Sequence, residues 1–233
     1  MMDLDDPRIL QIERRVSSIF TGLVEEMGEV LAIENGEKSL KIKIKCKKVL
    51  DKSKIGDSIA TNGTCLTAVE IGENYFTADC MYETVKRTNL KRLKAGDKVN
   101  LEKSITLATP LGGHLVTGDV DCEGTIASIT SEGIAKIYEI EIERQYMKYV
   151  VEKGRVTLDG ASLTVMRMTD SSLSVSLIPH TQEMVTLGSK NIGDHINVET
   201  DLIGKYVERL LNFSGEDKKE GILTREFLLE NGF

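Results

Sequence analysis

The sequence predicts an all-β protein, two similar small barrels in tandem, and three observations carry that expectation. The chain is 233 residues long, which suits one large domain or two small ones. It also repeats itself. Shifted by 97 residues, positions 56–103 lie on 153–200 without a gap and match at nine of 48, where unrelated sequence gives roughly three. Throughout both copies, short alternating apolar and polar runs are separated by glycine turns, the pattern of a sandwich or closed barrel.

The identical pairs are Gly63/Gly160, Leu66/Leu163, Thr67/Thr164, Thr84/Thr181, Leu90/Leu187, Gly96/Gly193, Asp97/Asp194, Asn100/Asn197 and Glu102/Glu199. Upstream, a shift of 96 lays Thr21-Gly22-x-Val24 on Thr117-Gly118-x-Val120 and Gly28 on Gly124. Each copy is about 95 residues, the size of an independent small domain.

Taken in order, the elements begin with a helix: Asp6 and Pro7 suit its N-cap and first position, followed by Ile9, Leu10, Ile12 and Val16. Leu40 to Cys46 alternates apolar residues with lysine, one face in and one out. Leu173-Ser174-Val175-Ser176-Leu177 and Val99-Asn100-Leu101 follow the same period more loosely. The lysines of 41–48 read as a solvated face that discourages edge pairing. Gly56-Asp57, Asn62-Gly63, Gly72-Glu73-Asn74 and Gly96-Asp97 mark turns in the first copy; Asp159-Gly160, Asp170-Ser171-Ser172 and Gly193-Asp194 mark them in the second. Near the C-terminus Ile203, Val207, Leu210 and Leu211 form the apolar stripe of a helix, to be buried on its own barrel or on a partner subunit. Residues 213–221 read as a linker before a short apolar tail. The expected organisation is an N-terminal extension (1–19), a first barrel (20–113), a second barrel (114–200), and a C-terminal helix and tail (201–233).

Composition narrows the function. Thirty basic residues against 37 acidic ones leave a net charge of −7, unsuited to a general nucleic-acid or anionic-membrane binder. There is no Trp, and 5 Phe with 6 Tyr make a poor stacking platform for single strands. No apolar run approaches the roughly 20 residues of a spanning helix, and Met1 to Asp6 lack the features of a secretion signal, so a cytoplasmic protein is expected. Cys46, Cys65, Cys80 and Cys122 form no C-x-x-C pair and read as free thiols; His114, His180 and His195 have no metal-ligand spacing. No metal and no cofactor is expected.

The candidate chemistry lies where the copies agree. Gly63-Thr64-Cys65-Leu66-Thr67 and Gly160-Ala161-Ser162-Leu163-Thr164 each follow a turn, and strand alternation puts Cys65 with Thr67, and Ser162 with Thr164, on one face. Such a pair either fills a barrel interior or binds a polar heterocycle. A second shared stretch, Asp79-Cys80-Met81-Tyr82-Glu83-Thr84 against Ser176-Leu177-Ile178-Pro179-His180-Thr181, leaves a strand and ends in a polar residue plus Thr. Glu83 and His180 are candidates for acid–base work or ordinary surface groups.

These residues resemble a known family. Phe20-Thr21-Gly22-Leu23-Val24-Glu25-Glu26, Asn62-Gly63-x-Cys65-Leu66-Thr67, Glu83-Thr84, Gly112-Gly113-His114-Leu115-Val116-Thr117-Gly118, Lys148-Tyr149-x-Val151-x-Lys153-Gly154, Asp159-Gly160-x-Ser162-Leu163-Thr164 and Ile178-Pro179-His180-Thr181 are similar, in order, to the riboflavin synthase family of the duplicated, alpha-chain type. The resemblance runs from Phe20 to about Leu211 and extends to the final Glu230-Asn231-Gly232-Phe233.

The resemblance implies two six-stranded Greek-key barrels with a C-terminal helix. It implies a cofactor-free transferase reaction in which one 6,7-dimethyl-8-ribityllumazine gives a four-carbon unit to another, yielding riboflavin and 5-amino-6-ribitylamino-pyrimidinedione. It further implies a homotrimer with each site between two subunits, and lumazine synthase as a further partner. Carried over, the N-terminal pocket uses Gly22, Leu23, Val24, Cys65, Leu66, Thr67 and Asp79, Cys80, Met81, Tyr82, Glu83 and Thr84. The C-terminal pocket uses Lys153, Ser162, Leu163, Thr164, and Ile178, Pro179, His180, Thr181, Gln182 and Glu183; Gly118, Asp119 and Val120 face the neighbouring site. Ser58 and Cys65 stand near the reacting ring, Cys65 as nucleophile or proton relay, and Thr67 and Thr164 bond the pyrimidine edge. Asp201 matches a carboxylate near the trimer contact. After Thr117-Gly118 the family usually carries His, and here the residue is Asp119, which accepts a proton but, when ionised, cannot donate one. Asp119 then substitutes as the base of a synthase, or the chain is a non-catalytic lumazine or flavin binder of the same fold. Retention of Cys65, Ser58, Lys153, Ser162 and His180 favours the synthase.

Overall fold

The structure, a computed structural model, describes residues 18–36 and 39–216; the helix expected from Asp6 and Pro7 and the tail beyond 216 lie outside the described residues. Among the described residues, twelve strands close into two barrels. The first contains β1 (Glu26–Asn35), β2 (Ser39–Lys45), β3 (Ser58–Thr61), β4 (Thr64–Ile71), β5 (Tyr75–Met81) and β6 (Lys98–Lys103), in the closed order β1-β2-β5-β4-β3-β6. The second contains β7 (Cys122–Glu132), β8 (Ala135–Glu141), β9 (Arg155–Leu158), β10 (Ala161–Met168), β11 (Ser172–Leu177) and β12 (His195–Thr200), in the order β10-β11-β8-β7-β12-β9. Read from β7, that is the same circuit. All pairs are antiparallel, and consecutive β2 and β3 are not neighbours, as in a Greek key. Bulges fall at equivalent places, Val30/Ala32 with Ile126/Ser128 and Ala68/Glu70 with Val165/Arg167, where strong curvature closes each barrel.

The lysine strand behaves as its alternation predicts. Leu40, Ile42 and Ile44 are buried while Lys41 and Lys45 are exposed. They join Ile59, Leu66, Phe76 and Leu101 in the first core; Tyr138, Ile140, Val156, Leu158, Leu173 and Val198 anchor the second. Each such side chain contributes about 1.5–3 kcal/mol through burial. β6 and β12 depart from the alternation read at Val99-Asn100-Leu101. Both of their faces are buried, because Asn100, Glu102, Asn197 and Glu199 point away from the cores into the junction between the barrels.

That junction has a local two-fold character. The β3–β4 turn has positive φ at Asn62 (45°) and Gly63 (74°), and the β9–β10 turn at Asp159 (45°) and Gly160 (82°), the two-residue geometry that Asn-Gly and Asp-Gly favour. The two tips touch: a Cβ on either glycine would lie 2.7 Å from the other's nitrogen. Asn100 Nδ2 donates to Asp159 O (2.8 Å) and Asn197 Nδ2 to Asn62 O (2.8 Å), so each barrel holds the other's turn. Asp159 is fully buried and accepts from Asn89 Nδ2 and the Asn197 amide, with Lys190 Nζ 3.3 Å away; burial pushes its carboxyl up despite these partners.

Short helices α1 (Tyr82–Arg87), α2 (Arg144–Met147) and α3 (Pro179–Met184) cap strand connections. The chain's second compact unit begins at α4 (Leu202–Glu216), with Ile203, Val207, Leu210 and Leu211 exposed. The helix runs on through Phe213 to Glu216, beyond the expected start of a linker, because nothing in Asn212 to Gly215 stops the hydrogen-bonded ladder as Pro would. Among the described residues, no helix is long and apolar enough to cross a membrane.

Candidate active site

The two Gly-x-[Cys/Ser]-Leu-Thr segments begin β4 and β10. In β4, Leu66 and Ala68 point into the core, leaving Cys65 half-buried and Thr67 exposed on the outer face; in β10, Ser162 and Thr164 repeat the arrangement. The alternative that these groups fill the barrel interior is thereby excluded. Opposite partners in a ladder share a face. Ser58 pairs with Thr67 and Ala60 with Cys65, so Ser58, Cys65 and Thr67 form one ledge. Arg155 pairs with Thr164 and Thr157 with Ser162, forming the second.

Each ledge is completed by the other repeat. The Cys65 amide donates to Gly118 O (3.0 Å), and the Ser162 amide donates to Gly22 O (2.8 Å). A Cβ on Gly118 would lie 2.6 Å from Cys65 Cβ, and one on Gly22 2.5 Å from Ser162 Cβ; both glycines also have φ near +80°, strained for other residues. Val24 packs on the second core. Gly22 of the first repeat therefore meets the Ser162 ledge of the second barrel, and Gly118 of the second repeat meets the Cys65 ledge of the first. The exchange follows from a crossing of chains at Phe20 and Val116, which exchange backbone bonds (Phe20 N to Val116 O, 2.8 Å; Val116 N to Phe20 O, 3.1 Å).

Asp79 to Thr84 spans the end of β5 and the start of α1, and Ile178 to Glu183 follows β11 and runs into α3, so the two stretches overlap in the corresponding strand-to-helix connections. Asp79, Met81, Tyr82 and Glu83 are exposed and Thr84 is half-buried; Ile178, Pro179, His180 and Glu183 are exposed, and Thr181 and Gln182 half-buried. Side-chain direction limits three of the expected contacts. The side chains of Leu66, Leu163 and Cys80 point into the cores, so only their peptide groups can meet a ligand on the outer face. Arg87 Nε donates to Glu83 at 2.7 Å and holds its carboxyl below the usual range. Lys153 is exposed with φ of 63° at the place where the first copy has Gly56; the Lys153 amide donates to Val165 O of β10 and the Gly56 amide to Ala68 O of β4. Asp119 is exposed, its amide bonded to Thr117 Oγ1 (3.3 Å).

The reactive atoms differ in what stands behind them. Cys65 packs on a small apolar cluster of Phe20, Ala60 and Val116. Ser58 Oγ accepts from Ser18 Oγ at 2.6 Å. Ser162 Oγ instead meets His114 Nδ1 at 2.7 Å, and His114 Nε2 meets Thr157 Oγ1 at 3.3 Å. Burial pushes the His114 imidazole below its usual range, with Arg155 acting the same way and Asp201 against it. Sequence reasoning quoted His114 within a motif without placing it here; position 114 answers to Ser18 in the first copy, and a lone His carries no spacing signal. The other thiols, Cys46, Cys80 and Cys122, are buried and pushed up to about 12, leaving Cys65 as the accessible one among the described residues.

Comparison with known proteins identifies the family. The lumazine binding domain family matches twice, over residues 21–104 and 117–201. Riboflavin synthase of Bacillus subtilis (strain 168) is 41% identical over 215 residues, covering 92% of this chain and all of the relative. That of Actinobacillus pleuropneumoniae is 42% identical with the same coverage, and that of Mycobacterium tuberculosis (strain ATCC 25618 / H37Rv) 43% identical over 201 residues, 84% of this chain and all of the relative. In fold the chain is similar to LumP in its crystal structure with riboflavin, with a TM-score of 0.73 at 24% identity over 78% of this chain and 98% of that one. With a duplicated lumazine binding domain and relatives matched along their whole length, the chain belongs to the riboflavin synthase family.

Proposed function

We propose that this chain makes riboflavin by dismutation of two molecules of 6,7-dimethyl-8-ribityllumazine, one held on each kind of ledge. The observation that carries the reading is the pair of equivalent outward ledges, Cys65/Thr67 and Ser162/Thr164, each closed by a glycine of the opposite repeat. Two copies of one binding surface suit a reaction whose two substrates are the same molecule.

The protein's part is alignment and proton movement. One lumazine loses a proton from its acidic ring methyl, and the carbanion attacks the electrophilic ring carbon of the other. A four-carbon unit then passes across, leaving riboflavin and 5-amino-6-ribitylamino-pyrimidinedione; no oxidant or reductant enters, because one molecule gains the carbons the other gives up. Holding two rings in register removes about 7–11 kcal/mol of barrier. Thr67 and Thr164 bond the pyrimidine edges, Cys65 and Ser58 stand at one ring, and Ser162 stands at the other. Asp119 takes the proton-accepting place beside Cys65.

A neighbouring subunit in a homotrimer supplies the second ring's face. Supporting this, apolar side chains at the ledge rims are left open in the single chain: Met81 is 74% exposed, Tyr82 60% and Ile178 52%. The protein works in the cytoplasm, with lumazine synthase as the supplier of substrate. Incubation of the purified protein with 6,7-dimethyl-8-ribityllumazine alone tests the reading: riboflavin absorbance appears, one molecule for two consumed. Tight binding without yellow product would instead mark a binder.

A further inference from the structure

The crossed segments need an anchor, and two buried carboxylates provide it. Glu102 on β6 is 6% exposed, and its Oε1 accepts from the Thr21 amide (2.7 Å) and Thr21 Oγ1 (2.7 Å), its Oε2 from the Gly22 amide (2.9 Å). Glu199 on β12 is 3% exposed and repeats the arrangement: Oε1 accepts from the Thr117 amide (2.7 Å) and Thr117 Oγ1 (2.9 Å), Oε2 from the Gly118 amide (3.1 Å). Each carboxylate therefore fixes both oxygens on a Thr-Gly pair whose glycine leans on the opposite barrel's ledge. Glu102 belongs to the first barrel, yet the segment it holds lines the ledge of Ser162. Glu199 belongs to the second, yet its segment lines the ledge of Cys65.

We propose that Glu102 and Glu199 are crossed positioning residues, each rooted in one barrel and setting the geometry of the other barrel's pocket. An amide in place of either carboxylate keeps one acceptor oxygen and turns an N–H2 group toward N–H donors, leaving at least one buried donor unpaired. The Thr-Gly segment then loses its fixed seat, while the barrel carrying the glutamate keeps its own core. Neither residue reaches the ledge surface, so neither is a catalytic residue. The inference rests on the proposed function only for the identity of the ligand.

Two readouts on the full-length protein test it. The first needs no ligand. Cys65 lies under Gly118, so a thiol reagent labels Cys65 at least about 5-fold faster in Glu199→Gln than in wild type, while Glu102→Gln stays within about 2-fold. The second uses riboflavin titration, with Cys65→Leu to block one ledge and Ser162→Leu to block the other. Glu102→Gln weakens the site left in Cys65→Leu by at least about 10-fold and leaves the site in Ser162→Leu unchanged; Glu199→Gln does the reverse. Equal effects of one variant on both sites, or faster Cys65 labelling in Glu102→Gln than in Glu199→Gln, would overturn the proposal. If either Gln variant fails to fold, Thr21→Val and Thr117→Val, which each delete one donor, are read the same way. A wild type that binds no riboflavin but shows the labelling contrast removes the proposed function and leaves the crossed clamps standing.

Discussion

Cys65 and Ser162 occupy the same place in two copies of one strand, yet their surroundings have opposite chemistry. Behind Cys65 lies an apolar cluster of Phe20, Ala60 and Val116; behind Ser162 lie an imidazole and a second hydroxyl, His114 and Thr157. Backbone bonds, glycine contacts and glutamate clamps are equivalent in the two. Duplication has kept the backbone frame around the two strands and let the side chains behind Cys65 and Ser162 diverge. Two identical substrates in a dismutation take different roles, and a pair of pockets with one frame and two chemistries is suited to that.

The comparison is broken most severely by removing the shared frame. Gly118→Val forces a Cβ against Cys65 at a left-handed backbone position and is expected to cut riboflavin formation by at least about 100-fold; Gly22→Val does the same at Ser162. Steady-state assays with lumazine check both, and a large loss from only one would mean that the ledges are not used alike. Next comes the divergent part. Cys65→Ala is expected to lower kcat about 10-fold with KM nearly unchanged; equal changes in both would assign the thiol to binding alone. Asp119→His is expected to preserve turnover or raise it a few-fold, and a collapse would show that this carboxylate has a task of its own.

The smallest effect is on stability. The half-buried His114 has a folded pKa below its unfolded value of about 6.5, so its contribution is complete above that pH and is lost as pH falls through the folded value. Asp201 and Arg155 are the charges that act on it. The melting temperature of His114→Gln should therefore fall less steeply than that of wild type between pH 7 and pH 5, and parallel slopes would contradict this.

Much of this was readable in the chain itself. The repeat fixed two equivalent halves, and Asn62-Gly63 and Asp159-Gly160 marked the hairpins from which both ledges start. Alternation also placed Cys65 with Thr67 on one face, but not which face, since an outward Thr and an inward one leave the same spacing. Three features had no local signal. Gly22 meets Ser162 from 140 positions away along the chain, so the exchange of segments is a property of the closed fold. Asn100 reads as the outward position of Val99-Asn100-Leu101, although it is buried at the junction together with Glu102. His114 needed its contact with Ser162 before it meant anything.

A crystal structure with 6,7-dimethyl-8-ribityllumazine bound tests the central claim most directly. Two ligands per chain are predicted, one touching Cys65 together with Gly118 to Val120, the other touching Ser162 together with Gly22 to Val24. A ligand resting on Cys65 and Gly22 at once, or on a ledge with no contact to the opposite repeat, would contradict it.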